Sequence, residues 1–469
     1  MKLIPALVLT AGLAAPVMAQ CVSNGPDVIV GALLRDNYFS PDDAGPAANY
    51  AAAGGIDAFS VGTYSCNIGN VWLNWIDSTN QHPVIGQNLY KYRTVAGSGR
   101  FEQIGQSWLK HGFFALSDVL CCPSCQATSG SHLGVGCADP YSATRNGFQS
   151  NLGPKFQVNA WTGAFLYPPA NPAWSGTTAR RLQAKVSELE ASSASVRYFV
   201  EGQYVSPDDA AAGNQNNNAS YREATMTGTT DFAMSLIGTT TRMLPAIRAW
   251  KVIDPAVTET TFQIPSEGRI VVSSRATSLG GGQWHYEYAV YNMNSDRCVG
   301  SFTVPVHAST AVTNIGFHDV DYLNGDGQGN VNVSGTDWTG VRVGDTIVWA
   351  APTFASTPNG NAIRWGTLYN FRFDADIAPN LGGQATIGTW KVAGSYGVAA
   401  QVPSFPASCY ANCDNSTAAP ILNVNDFTCF LNKYAAGDTT ANCDNSTVVP
   451  VLNINDFTCF LNLYAVGCT

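Results

Sequence analysis

The chain has 469 residues, of which 45% are hydrophobic and 12% charged, with a formal charge of −9 at pH 7. It is too long for one ordinary core, so two to four domains are expected, and its sparse charge and 45 glycines describe a loop-rich, strand-rich extracellular protein. The acidic balance excludes a nucleic-acid partner held by phosphate neutralisation, and no apolar run after residue 20 approaches the roughly 18 residues that a membrane-spanning helix needs.

In chain order, Met1-Lys2-Leu3, an apolar run to Ala15 and small residues up to Ala19 predict a secretory signal peptide over residues 1–19. Cys21 follows closely, but Gln20 stands where a lipid-anchor signal wants a small residue, so no lipid anchor is expected. Export implies an oxidising compartment and hence disulfides among the 13 cysteines. The seven cysteines before residue 400 form an odd set, and Cys298, isolated between two strand-like runs, is the expected unpaired one.

Residues 20–265 read as a loop-rich mixed β/α region. Phe101, Ile104, Trp108, Leu109, Phe113 and Leu116 fall along one stripe and predict a helix over Phe101–Val119, with His111 on its polar side. Arg180–Ser187 and Val196–Ser206 read as a strand pair. The string SPDDA at Ser40–Ala44 and again at Ser206–Ala210 predicts two helix starts, with Ser as cap and Pro at the first turn. Cys122, Cys125, His132 and Cys137 have a spacing close to that of a small zinc site, although structural disulfides are the leading expectation in an exported chain. Glu201 with Asp208 and Asp209 is the one acidic cluster to weigh for glycoside hydrolysis, against a solvated strand end beside a helix cap. The six histidines are His82, His111, His132, His285, His307 and His318, and three of them converging would make a copper or zinc site.

Residues 266–400 read as a β-sandwich. Candidate strands are Arg269–Arg275, Trp284–Val290, Val299–Val306, Val312–Phe317, Val341–Trp349, Tyr369–Asp374 and Ala385–Val392, separated by Gly, Asn and Pro turns. Asp319, Asp321, Asn324 and Asp326 crowd a Gly-rich loop that is either a calcium loop or a set of Asx turns. Residues 401–406 read as a linker.

Residues 407–469 hold a duplicated unit. Ala411–Gly437 and Ala441–Gly467 differ at six of 27 aligned positions. Each unit joins an Asn/Asp/Ser-rich loop to a helix-like run, in which Phe427, Phe430, Leu431 and Tyr434 share a face. A calcium ion takes about six to eight oxygens, which an EF-hand loop supplies from positions 1, 3, 5, 7, 9 and 12. With Asp426 last, Asn423 and the Ile421 carbonyl fall at positions 9 and 7, as do Asn453 and the Val451 carbonyl before Asp456. Asn412, Asp414 and Ser416, with Asn442, Asp444 and Ser446, complete the sets if a three-residue insertion follows. A strict twelve-residue loop would start at Asn415 instead.

This pair of units resembles a dockerin, the duplicated calcium-binding module that docks secreted bacterial proteins onto cohesin receptors, and most closely a cysteine-rich, GC-type variant. The chain departs from the family pattern in having Asn at the first position, a longer loop and no mid-loop Gly. The resemblance implies calcium as cofactor and a cohesin-like protein as partner. Repeat symmetry suggests disulfides Cys413–Cys429 and Cys443–Cys459, with Cys409–Cys468 joining the ends; the crossed pairing Cys413–Cys459 and Cys429–Cys443 is equally symmetric. The expected protein is therefore secreted and mainly β, a loop-rich region plus a β-sandwich with a small helical pair at the C-terminus. Its tail is expected to tether it outside the cell, with the body as a binding or structural component. The alternatives are a polysaccharide-active hydrolase and a histidine-ligated metal oxidoreductase.

Overall fold

The structure is a computed structural model that describes residues 21, 23–37, 40–404, 410–414, 416, 420, 422–444 and 446–467. The expected leader 1–19, Asn415, the Ile421 carbonyl and the Cys409–Cys468 pairing lie outside the described residues.

The protein is mainly β. Strands Val84–Val95 and Ser98–Gln106 form a long hairpin whose two-residue turn sets both Ala96 (φ 49°) and Gly97 (φ 83°) in the left-handed region, as the twist of a tight hairpin demands. Val196–Val205 pairs beside Val84–Val95, and Ala219–Thr227 follows it. On the other flank, Leu182–Lys185 bridges Ser98–Gln106 to Ile56–Ser60. The result is one broad antiparallel sheet. One of its faces packs Leu89, Ile104 and Val200 against Val28, Val30 and Leu33. The opposite face packs Tyr90, Phe101 and Phe199 against Val271, Ala289 and Tyr291, which belong to the next region.

That region is a β-sandwich. One sheet runs Thr258–Gln263, Arg269–Gly280, Gln283–Asn292, Thr367–Ala375, Val312–His318; the other runs Val341–Val343, Thr346–Ala350, Val299–Pro305, Gln384–Thr389, Gly394–Ala399. All seven predicted runs contain strand, and Val341–Trp349 divides in two at Gly344 (φ 55°). The body is thus a stack of sheets in which each region keeps a core of its own and a further core is shared between them. Asn370 Nδ2 donates to the Phe101 carbonyl at 2.8 Å, and Gln103 Oε1 accepts from Leu368 N at 2.7 Å. The sandwich also extends past its expected end. Gln401 and Val402 are buried, and Val402–Pro403 pairs with Pro379–Asn380, so the expected linker begins inside the fold.

Three local expectations are corrected. Phe101–Val119 is not a helix: Ser98–Gln106 and Leu109–His111 are strands, and the three-residue spacing of Phe101 and Ile104 sends them into different cores on opposite faces. A strand buried on both faces loses the alternation that would identify it. Leu182–Lys185 and Val196–Val205 are strands but not partners. Pro207–Ala212 is a helix behind Ser206, whereas residues 40–44 form a turn; there the Pro41 and Asp43 carbonyls accept from the buried Arg222 guanidinium.

In the tail, helices Val424–Ala435 and Ile454–Val466 meet through Phe430 and Phe460, whose rings stack at 4.2 Å. Leu431, expected on the packed face, is exposed. Disulfides Cys413–Cys429 and Cys443–Cys459 tie each loop to its own helix, which settles the crossed alternative.

Candidate functional site

Each tail loop folds back onto the first turn of its helix. Asn423 caps Val424–Ala435 by accepting from Asn425 N at 2.8 Å, and Asp426 Oδ2 accepts from Asn423 N at 2.9 Å. The second unit repeats this with Asn453 and Asp456. The other oxygen of each Asp accepts from the start of the loop: Asp414 N reaches Asp426 Oδ1 at 3.2 Å, and Asp444 N reaches Asp456 Oδ1 at 3.3 Å. Asp426 and Asp456 are buried although each carries a carboxylate.

Around them the loops gather further oxygens. Asn412 Nδ2 donates to the Ser416 carbonyl and Asn442 Nδ2 to the Ser446 carbonyl, both at 2.9 Å. Ser446 Oγ lies 3.3 Å from the Val451 carbonyl. Ser416 N and Ser446 N donate to Asp414 and Asp444, each at 2.9 Å. The Ser416 N–H holds the Asp414 carboxyl below its ordinary value. Burial works against ionisation of Asp456, but the N–H groups of Asn453 and Asp444 outweigh it and its pKa is lowered as well. Asn412, Asp414, Ser416, Asn423 and Asp426 therefore come together in one unit, and Asn442, Asp444, Ser446, Asn453 and Asp456 in the other. Asn412 Oδ1 is buried and accepts no hydrogen bond among the described residues. Each loop offers only two carboxylates, and no group of three or more His, Cys, Asp or Glu placed to hold a metal occurs among the described residues.

The body places its nominated residues apart. Glu201 does not join Asp208 and Asp209: Asp208 accepts from Asn74 N at 2.7 Å, and Asp209 accepts from Val28 N and Asn218 Nδ2, both at 2.9 Å. Cys122 pairs with Cys21, Cys125 with Cys137 and Cys66 with Cys121, so every cysteine of the zinc-like spacing is taken up in a disulfide. Cys298 is free and buried, and burial pushes its thiol up to about 11. His111 is buried rather than solvated, with Nδ1 at 3.1 Å from His82 Nε2, and burial pulls the two rings down to about 3 and about 4. His132 lies against Trp72, His285 bonds Asp374 and Glu287, and His318 pairs with Glu188, so three do not converge. Asp319 accepts from Asn361, Asp321 pairs with Lys185 at 2.6 Å, and Asp326 faces the Phe156 N–H, so this loop divides its acids among separate partners.

Glu201 enters a different cluster. Its Oε1 accepts from Asn88 Nδ2 at 2.8 Å, Tyr90 OH at 3.0 Å and Tyr291 OH at 3.1 Å, and its Oε2 accepts from Ala246 N at 2.6 Å. Lys155 Nζ lies 3.3 Å from Asn88 Oδ1 and 3.0 Å from Gln106 Oε1. Burial raises the Glu201 pKa and lowers that of Lys155 to about 8. Beside Lys155 a cavity of about 400 Å3 is lined by Phe156, Tyr322, Asp326, Arg364 and Trp365. Sequence reasoning singled out Glu201 for other chemistry and missed Asn88, Tyr90, Lys155 and Tyr291; their separations of 67 to 113 residues leave no local signal.

No protein-family model matches the chain, and no curated protein matches it. Among solved structures, the N-terminal domain of the Streptococcus gordonii adhesin Sgo0707 is aligned over 81% of this chain and 98% of that one, at 9% identity and a TM-score of 0.17. A likeness this weak carries no argument about fold or function.

Proposed function

We propose that the chain is a secreted protein whose tail binds two calcium ions, one per loop, and through them docks onto a cohesin-type receptor, with the body as the binding or structural component so displayed. The observation that carries this reading is the repeated convergence of two carboxylates with amide, hydroxyl and carbonyl oxygens in each loop, including the buried Asn412 Oδ1, which accepts no hydrogen bond among the described residues. A hard divalent cation seeks such a set, and it would offset the repulsion between Asp414 and Asp426. The disulfides and the five Asp against one Lys in residues 407–469 are in keeping with an oxidising compartment and a bound cation.

Docking is supported by a duplicated apolar surface. Val424 and Ile454, at the starts of the two helices, are 72% and 70% exposed, and Leu431 and Leu461 lie two turns further on, also exposed. One copy of such a stripe is an ordinary surface feature; the same stripe on both helices suits a receptor. The test is calcium titration of the full chain followed by thermal unfolding. Calcium should raise the melting temperature of the tail, and the double variant Asp426→Ala, Asp456→Ala should lose that response. A double variant that titrates like the parent would reject the ligand assignment.

A further inference from the structure

We propose that Lys155 and Asn88 become joined by an intramolecular amide bond, with Glu201 as the proton-transfer group and ammonia as the other product. Strand pairing sets Asn88 directly opposite Glu201. The two ends of the Asn88 carboxamide are thereby addressed separately: the amine of Lys155 stands 3.3 Å from Oδ1, and the carboxyl of Glu201 stands 2.8 Å from Nδ2. Lys155, Asn88 and Glu201 are 5%, 2% and 0% exposed, so water is kept from the reacting groups. Gly366 (φ 70°) makes room for this approach, since a Cβ there would sit 3.3 Å from Lys155 Nζ. The proposal concerns the body alone and does not depend on the calcium reading.

The chemistry balances without an oxidant or co-reactant. The lone pair of neutral Lys155 Nζ adds to Asn88 Cγ, Glu201 carries a proton from Nζ to Nδ2, the Cγ–Nδ2 bond breaks, and ammonia leaves through the adjoining cavity. One C–N bond forms, one C–N bond breaks, and Glu201 is regenerated. Burial favours the neutral amine at Lys155 and the protonated acid at Glu201, the two forms that the step requires. A buried ammonium whose acceptors here are two amide oxygens is costly, and acylation removes that charge. Gln106 is the competing target, but its Nε2 donates to the Asp321 carbonyl, which has no proton to give to a leaving amine.

The experiment is mass spectrometry of the full chain purified under native conditions and then reduced. The expected result is an intact mass one ammonia below that of the processed sequence, and after proteolysis a branched peptide joining the segments that contain Lys155 and Asn88. A succinimide at an Asn-Gly step loses the same ammonia, so the branch decides. Recovery of unmodified peptides for both residues, or a branch from Lys155 to Gln106, would overturn the proposal. In Glu201→Gln, with its fold verified by near-ultraviolet circular dichroism, the branch should be absent; a branched Glu201→Gln would remove Glu201 from the reaction. The branched peptide of the parent tests the bond, whatever the stability of the variant.

Discussion

Both the tail and the body bury carboxyl groups among amides, but they draw the partners from different distances along the chain. In the tail, Asp426 and Asp456 are buried in the first turns of the two helices of a small module, held by N–H donors from their own unit. In the body, Glu201 sits between two stacked sheets, with donors from Asn88, Tyr90, Tyr291 and Ala246 drawn from strands and a loop far apart in the chain. In the first, N–H donors favour the ionised forms of Asp414 and Asp456, which can receive a cation from water. The second opposes charge and favours neutral groups held at fixed distances. Similar residue types thus acquire different chemistry from the donors and neighbouring charges that the fold sets around them.

The sharpest way to break the comparison is to damage one region and watch the other. Phe430→Ala removes half of the stacked pair at the centre of the tail and should cost about 3–5 kcal/mol. In so small a core that is enough to unfold the module, and hydrogen exchange should report lost protection over Val424–Ala435 with the body unchanged. Glu201→Ala leaves four buried donors without their acceptor and should cost the body about 2–4 kcal/mol, read by denaturant unfolding, while the calcium response of the tail persists.

Asp139 offers a comparison by pH. It is buried, its Oδ1 accepts from Leu116 N, and burial pushes its pKa up to about 7. Because the folded value exceeds the unfolded one near 3.8, the native state binds the extra proton between these limits. The contribution of Asp139 to stability is therefore complete below about 3.8 and is lost as pH rises through about 7. Asp139→Asn should remove that slope and stabilise the body at neutral pH by about 1–2 kcal/mol, as measured by unfolding across the pH range. The smallest effect is expected for Asn423→Ala, which deletes one helix cap and should cost the tail about 1 kcal/mol without calcium.

The two regions also differ in how far their residues were legible. The tail is written locally: a repeat, a cap three residues before its acid and an apolar spacing of three and four all lie within one 30-residue unit. The repeat brought Asn423 and Asp426 into one unit but left two symmetric cysteine pairings open; the capping box and the pairing of Cys413 with Cys429 come from the structure. The sandwich was legible because Arg269–Arg275 and Tyr369–Asp374 alternate or run apolar between clear turns. The central sheet was not. Glu102, Gln103 and Gln106 are buried polar residues in a strand covered on both faces, so the pattern mimics a helical stripe. The Lys155, Asn88 and Glu201 cluster was illegible because only the stacking of distant strands creates it.

Whether calcium completes the tail while the body stands without it is decided by hydrogen exchange of the full chain in chelator and in saturating calcium. Calcium should slow exchange in the two loops and both helices, within residues 410–467, and leave Val84–Val95 and Val196–Val205 as they were. Exchange in the tail that is the same with and without calcium would contradict it.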